Sequence, residues 1–259
     1  MTNKLTALFD KKKKGVLNIY CTAGFPKRDS LFEILPALQD AGADIIEIGM
    51  PYSDPLADGP VIQHSNSIAL ENGMTISLLL EQLGRLEDLI DIPIVLMGYF
   101  NPVLQYGVEK FCADAAAAGV AGIILPDLPA VEYKKHYSNI FEQYDLSFIP
   151  LITPETDDKR IKQADKIGSG FLYAVSSSAT TGGQADFAEK KAYFQKLTDL
   201  KLSNPLLIGF GIKTNKDFEE ACAYAAGGII GSAFITKLEN STGIPKDIRE
   251  FIREVRGEN

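Results

Sequence analysis

Glu47 stands in the middle of an aliphatic run, Ile45-Ile46-Glu47-Ile48-Gly49. Side chains of a strand alternate between its two faces. With Ile46 and Ile48 turned toward covering helices, Glu47 points the other way, into an interior. A carboxylate there is costly unless protonated or paired. Position alone leaves two readings: a Glu satisfied by a buried partner, or an acid whose pKa is raised by burial until it exchanges a proton near neutrality. Asp58 lies in the loop that follows. The stretch 51–60 carries three prolines, Asp54 and Gly59, too long and irregular for a minimal strand-to-helix turn, and such loops are often functional. Asp58-Gly59 is also a turn dipeptide, so turn chemistry is the alternative there.

Three glycine-bearing places read as anion sites. Ser176–Gly183 is a loop of Ser, Thr, Ala and Gly that can present backbone N–H groups, or is simply a surface loop. Gly209-Phe210-Gly211 and Gly231-Ser232 follow two late strands, and Ser232–Leu238 has the composition of a short helix. Barrels often bind phosphate at those last two loops, on the N-terminus of a short extra helix.

The elements that must position these residues are short β-branched and aliphatic runs: Val16–Cys21, Asp44–Gly49, Ile94–Gly98, Gly122–Pro126, Ser147–Ile152, Gly170–Val175, Leu206–Gly209 and Gly228–Gly231. Most are apolar at consecutive positions, the pattern of parallel strands covered on both faces. Helical spacing separates them, as in Leu31, Ile34, Leu35 and Leu38, or Leu78, Leu79, Leu83 and Leu86, with further helices at Asp157–Ile167, Phe187–Leu200, Asn215–Ala226 and Ile244–Val255. Ser30 and Thr214 are expected N-caps, and Gly119 a helix C′ residue. Eight alternating units with no linker predict an α/β fold, a single (β/α)8 barrel domain over 1–259 with an extra N-terminal helix. A doubly wound open sheet is the alternative; the first strand leads into neither GxGxxG nor GxxxxGK[ST].

The 259 residues carry a formal net charge of -8, which argues against nucleic acid and anionic membrane as partners. Lys11 to Lys14 form the one basic run, read as the solvated end of a first helix. Cys21, Cys112 and Cys222 make no CxxC pair and read as buried free thiols in a reducing cytoplasm. Two histidines, His64 and His136, are too few for a metal cluster, so no metal is expected. The start of the chain lacks a secretory signal pattern, and no apolar run is long enough to span a membrane.

At the chemistry-bearing residues the chain closely resembles the tryptophan synthase α family. Ile46–Gly59 fits its signature: aliphatic-Glu-aliphatic-Gly, then an aromatic, Ser-Asp-Pro and a closing Asp-Gly. The likeness continues in Thr22-Ala23-Gly24-Phe25-Pro26, Gly98-Tyr99-Phe100-Asn101-Pro102, Leu125-Pro126-Asp127-Leu128-Pro129, Gly209-Phe210-Gly211-Ile212 and Gly231-Ser232-Ala233. The resemblance implies retro-aldol cleavage of indole-3-glycerol phosphate to indole and glyceraldehyde 3-phosphate. It maps the catalytic carboxylates onto Glu47 and Asp58. Phosphate donors fall at Gly182, Gly211, Gly231 and Ser232, and the indole wall at Phe100, Leu125, Tyr173 and Phe210. Thr181 falls in a mobile loop that helps position Asp58. It implies no cofactor in this chain, and a pyridoxal-phosphate-dependent β subunit as partner in an αββα assembly, which receives indole for L-tryptophan synthesis. The expected contacts are around Ser53–Gly59 and Asn101–Tyr106. One departure stands out: many relatives have Arg in the loop after Tyr173, where this chain reads Ser176-Ser177-Ser178.

Two other readings compete. Indole-glycerol-phosphate synthase, another phosphate-binding barrel, would carry a catalytic Lys on an early strand, and Val16–Cys21 has none. A catalytically silent barrel that only activates a partner would not need Glu47 and Asp58.

Overall fold

The computed structural model describes residues 3–55, 58–175, 184–209 and 211–258, with the side chains of 184–190 left aside. Nine parallel strand segments form one sheet: β1 Val16–Thr22, β2 Ile45–Gly49, β3 Ile94–Met97, β4 Val120–Ile124, β5 Ser147–Phe148, β6 Leu151–Ile152, β7 Leu172–Val175, β8 Leu206–Gly209 and β9 Gly227–Ile230. Their order is β5-β4-β3-β2-β1-β9-β8-β7-β6. β5 and β6 are two halves of one stave. β5 pairs with β4 and β6 with β7. Between them Ile149 N donates to Ile123 O, while Tyr173 N donates to Pro150 O. Pro150 has no N–H to give, so the expected strand Ser147–Ile152 is interrupted there. The sheet therefore closes as eight staves, a (β/α)8 barrel.

Alternation along the staves sorts the apolar residues into two layers. Ile46, Ile48, Ile19 and Cys21 pack outward against the helices. Ile45, Val95, Ala121, Phe171, Leu207 and Ile229 fill the barrel interior. The expected N-terminal helix, α1 Lys4–Lys11, closes the end of the barrel at which the strands begin: its Leu5 and Phe9 are buried in the interior cluster. Each such burial stabilises by about 2 kcal/mol.

The lysine run differs from its expected role. Lys12 is half-buried and bonds both Asp44 oxygens at 2.8 and 2.7 Å. Asp44 also accepts from Leu17 N at 2.8 Å and from Arg256 Nη2 at 2.8 Å. One carboxylate thus ties together the end of α1, the start of β1 and the helix Ile244–Arg256. Thr214 forms the expected cap, in a reciprocal capping box with Asp217. Ser30 does not cap by side chain: its backbone is already helical, and its hydroxyl accepts from Lys27 N instead. Gly119 has φ +78, as a C′ residue requires. Cys21 and Cys112 are buried free thiols, but Cys222 is only partly buried.

Candidate active site

The sheet register places Glu47. It lies opposite Tyr20 of β1 and Val95 of β3, near the end of β2. The side chain is fully buried on the interior face. Asn18, two residues before Tyr20, donates from Nδ2 to Glu47 Oε2 at 2.6 Å. Glu47 Oε1 and Asn18 Oδ1 have no hydrogen-bond partner among the described residues. Burial, reinforced by the charge of Asp58 and opposed by the Asn18 hydrogen bond, pushes the Glu47 carboxyl up to about 8. Glu47 thus has a buried partner, and its carboxyl is raised toward the neutral range.

Asp58 comes from the loop after β2. Its backbone is anchored by Asp58 N to Pro55 O (3.0 Å) and by Gln63 Nε2 to Asp58 O (2.8 Å). Its carboxylate accepts from the Tyr99 hydroxyl at 3.4 Å. Partial burial raises it to about 6, against the lowering effect of Tyr99. Gly59 and Pro60 then open the helix Pro60–Glu71, with Pro at its first turn.

Glu47 and Asp58 line one chamber of about 220 Å³ at the strands' C-terminal ends, together with Tyr20, Met97, Tyr173, Ile212 and Ile229. Two tyrosines reach into it because glycines make room. A Cβ on Gly49 would collide with the Tyr20 hydroxyl, and one on Gly209 with the Tyr173 ring. Burial drives both phenols far above their ordinary range, so they stay neutral.

The other wall is the glycine side. Gly211, at φ +83, Gly231 and Ser232 all line the chamber. The short helix is present as Ser232–Glu239, with Gly231 as its N-cap. Its first N–H groups have no intrahelical acceptor and sit at the positive end of the helix dipole, an arrangement suited to an anion. Lys213 adds the one basic side chain among the described residues lining the chamber.

Of the residues singled out in the sequence, Glu47, Asp58, Tyr173, Gly211, Gly231 and Ser232 meet in this chamber. Phe100 and Leu125 lie outside its lining. Phe100 packs edge-on against Tyr137 at 5.1 Å, and its N–H donates to both Asp127 oxygens at 2.9 and 3.0 Å. Leu125 is buried beside a separate groove that includes Pro129 and Arg160. Thr181, Gly182 and Phe210, and the serines at 176–178, lie outside the described residues. Asn18, Tyr20, Tyr99 and Lys213 were not anticipated. The first two were within reach of the alternation rule, since Asn18 and Tyr20 share the interior face with Glu47 once β1 and β2 are aligned. Among the described residues no group of three or more His, Cys, Asp and Glu is placed to hold a metal ion.

A closed barrel with two carboxylates of different environment facing one chamber is an enzyme scaffold of the acid–base type. The family model for the tryptophan synthase alpha chain matches residues 6–257. A tryptophan synthase alpha chain of Parabacteroides distasonis is 50% identical over 239 residues, covering 92% of this chain and 93% of its own. One of Phocaeicola vulgatus is 49% identical over 242 residues, covering 93% and 94%. The crystal structure of tryptophan synthase subunit alpha from Legionella pneumophila superposes with a TM-score of 0.91 at 31% identity, covering 100% of this chain and 98% of that one. The chain belongs to the tryptophan synthase alpha chain family. Its reaction is the family's cleavage of indole-3-glycerol phosphate to indole and glyceraldehyde 3-phosphate, a carbon–carbon lyase activity within tryptophan biosynthesis. The alpha chain needs no cofactor of its own; pyridoxal phosphate belongs to the β subunit with which the family forms its complex.

Proposed function

We propose that Glu47 and Asp58 divide the cleavage between them, and that Gly211, Gly231, Ser232 and Lys213 hold the phosphate. The observation that carries this reading is the pairing of a fully buried acid, raised to about 8, with a second carboxylate at about 6 across one chamber. Glu47 is protonated at neutral pH. It gives its proton to indole C3, and positive charge moves to the ring nitrogen. Asp58, ionised at the same pH, stabilises that charge and holds the N–H proton. The Glu47 carboxylate left behind takes the proton of the glycerol hydroxyl next to the ring. As the resulting C=O forms, the C–C bond breaks and its electrons return to the ring, which leaves as indole. Glu47 ends protonated, ready for another turnover. Two carboxylates with separated pKa values serve as acid and counter-charge, a recurrent division of labour.

At the other end, the Ser232–Glu239 helix terminus and the Gly211 backbone face the phosphate. Their local donors offset the unfavourable field of a chain with net charge -8. Tyr173 supplies apolar surface to the indole. The resemblance adds Thr181, Gly182 and Phe210, which lie outside the described residues, and assigns Phe100 and Leu125 to the indole wall. The chain acts as one domain over 1–259. Leu104, an exposed apolar side chain on the helix Phe100–Tyr106, supports docking of the β subunit at that end of the barrel. No helix among the described residues is long and apolar enough to cross a membrane, and the three free thiols support a reducing, cytoplasmic setting.

The test is indole release by the purified chain, alone and with a β subunit. Glu47→Gln keeps size and polarity but cannot cycle a proton. It should lower turnover by at least about a thousandfold while leaving ligand affinity within a few-fold. Near-normal activity of that variant would remove the proton-donor assignment.

A further inference from the structure

Asn18 is out of place by composition. It stands in Val16-Leu17-Asn18-Ile19, at full burial, in a strand buried along its whole length. A carboxamide there costs several kcal/mol unless its polar atoms are bonded, and strands disfavour Asn. Among the described residues only its N–H side finds a partner: Glu47 Oε2 at 2.6 Å. The ladder fixes both ends of this contact, because β1 and β2 pair from Asn18↔Ile45 to Thr22↔Gly49. The donor therefore cannot drift relative to the acid.

We propose that Asn18 is a positioning residue for Glu47: by occupying Oε2 with an N–H donor it leaves Oε1 as the oxygen that carries and delivers the acidic proton. An amide N–H can only donate. The oxygen that it holds must act as acceptor in both protonation states, so the proton goes to the other. Once that proton has left, the same N–H stabilises the carboxylate.

Among the described residues, Asn18 is the group whose side-chain hydrogen bond to Glu47 favours the carboxylate. Tyr20 on β1 and Tyr173 on β7 remain neutral phenols. Cys21, on the outward face of β1, is a buried neutral thiol pushed up to about 12. Asp58, from the loop after β2, disfavours the Glu47 carboxylate, while Asn18 is the group that favours it. Without Asn18 the acid would hold its proton more tightly and return to carboxylate less readily.

This inference rests on Glu47 being the proton donor, and the experiment separates the two. The pH dependence of indole release is measured for the wild-type chain, Glu47→Gln, Asn18→Val and Asn18→Asp, with circular dichroism and urea midpoints to verify folding. Asn18→Val should cut kcat roughly tenfold, leave KM within about twofold and move the alkaline limb to higher pH. Asn18→Asp, which sets a second carboxyl beside the first, should move it further in the same direction. A carbon-13 titration of the Glu47 carboxyl in the unliganded chains should show the same upward displacement without requiring turnover. An unmoved limb and an unmoved titration overturn the proposal. So does a displacement to lower pH, which would mean that the Asn18 carbonyl accepts the Glu47 proton. An active Glu47→Gln overturns the reading of Glu47 itself, and the inference with it.

Discussion

The Tyr99 hydroxyl reaches the Asp58 carboxylate at 3.4 Å, joining the loop after β3 to the loop after β2. Tyr99 is held in turn by ring contact with Tyr52 at a centroid distance of 4.9 Å. The hydrogen bond lowers the Asp58 pKa. Tyr99→Phe should therefore raise it and carry the acid limb of kcat/KM to higher pH by about half a unit. A pH–rate series on the variant checks this; a limb that moves to lower pH, or not at all, would contradict it.

The wild-type profile should be bell-shaped. Asp58 must be ionised, which requires a pH above about 6, and Glu47 protonated, which requires one below about 8. kcat/KM reports these groups in the free enzyme. The flat top should lie between the two values, and Asp58→Asn should abolish the acid limb together with most of the activity.

Stability should depend on pH through the same groups. Glu47 binds its proton more tightly folded, at about 8, than unfolded, at the ordinary carboxyl value of 4.5. The native state then binds more protons than the unfolded one throughout that interval, so stability falls as pH rises from about 4.5 to about 8 and levels off above. Glu47→Gln removes the buried charge. It should be more stable than wild type at pH 8 by roughly 2–4 kcal/mol and nearly equal to it at pH 5. Urea titrations at the two pH values measure the difference.

Lys213 supplies cationic charge where the phosphate is proposed to sit. Lys213→Ala should raise KM about five- to tenfold with kcat little changed, and should weaken inhibition by inorganic phosphate in proportion. The wild-type affinity should fall more steeply with salt than that of the variant. Equal salt slopes would show that the side chain does not face the anion.

Asp44 receives Lys12, Arg256 and the Leu17 N–H together. Asp44→Ala leaves these donors without their acceptor, on side chains that are mostly shielded. It should cost about 2–3 kcal/mol in a urea titration, with activity at saturating substrate little altered.

The barrel was legible because its staves are mostly apolar at consecutive positions, as in Ile94–Met97, and glycine-rich loops such as Gly209–Gly211 punctuate them. Glu47 could be found because it breaks such a run. Asn18 breaks one just as plainly, but its importance depends on register, and register is a property of two strands. Pro150 marked the interruption of its stave in the sequence, yet the surrounding aliphatic pattern masked it. Lys12 could not be told from its neighbours in the lysine run, because only the packing of α1 against the barrel selects it. The outlying positions of Phe100 and Leu125 likewise follow from tertiary contacts, with Asp127 and Tyr137 in the first case.

The two acids are mounted differently, and that difference has a consequence. Glu47 is clamped in a ladder shared by three strands, whereas Asp58 rides on a segment secured mainly by Pro55, Gln63 and Tyr99. A push on the barrel's rim would displace Asp58 before Glu47, because the ladder holds Glu47 from both sides.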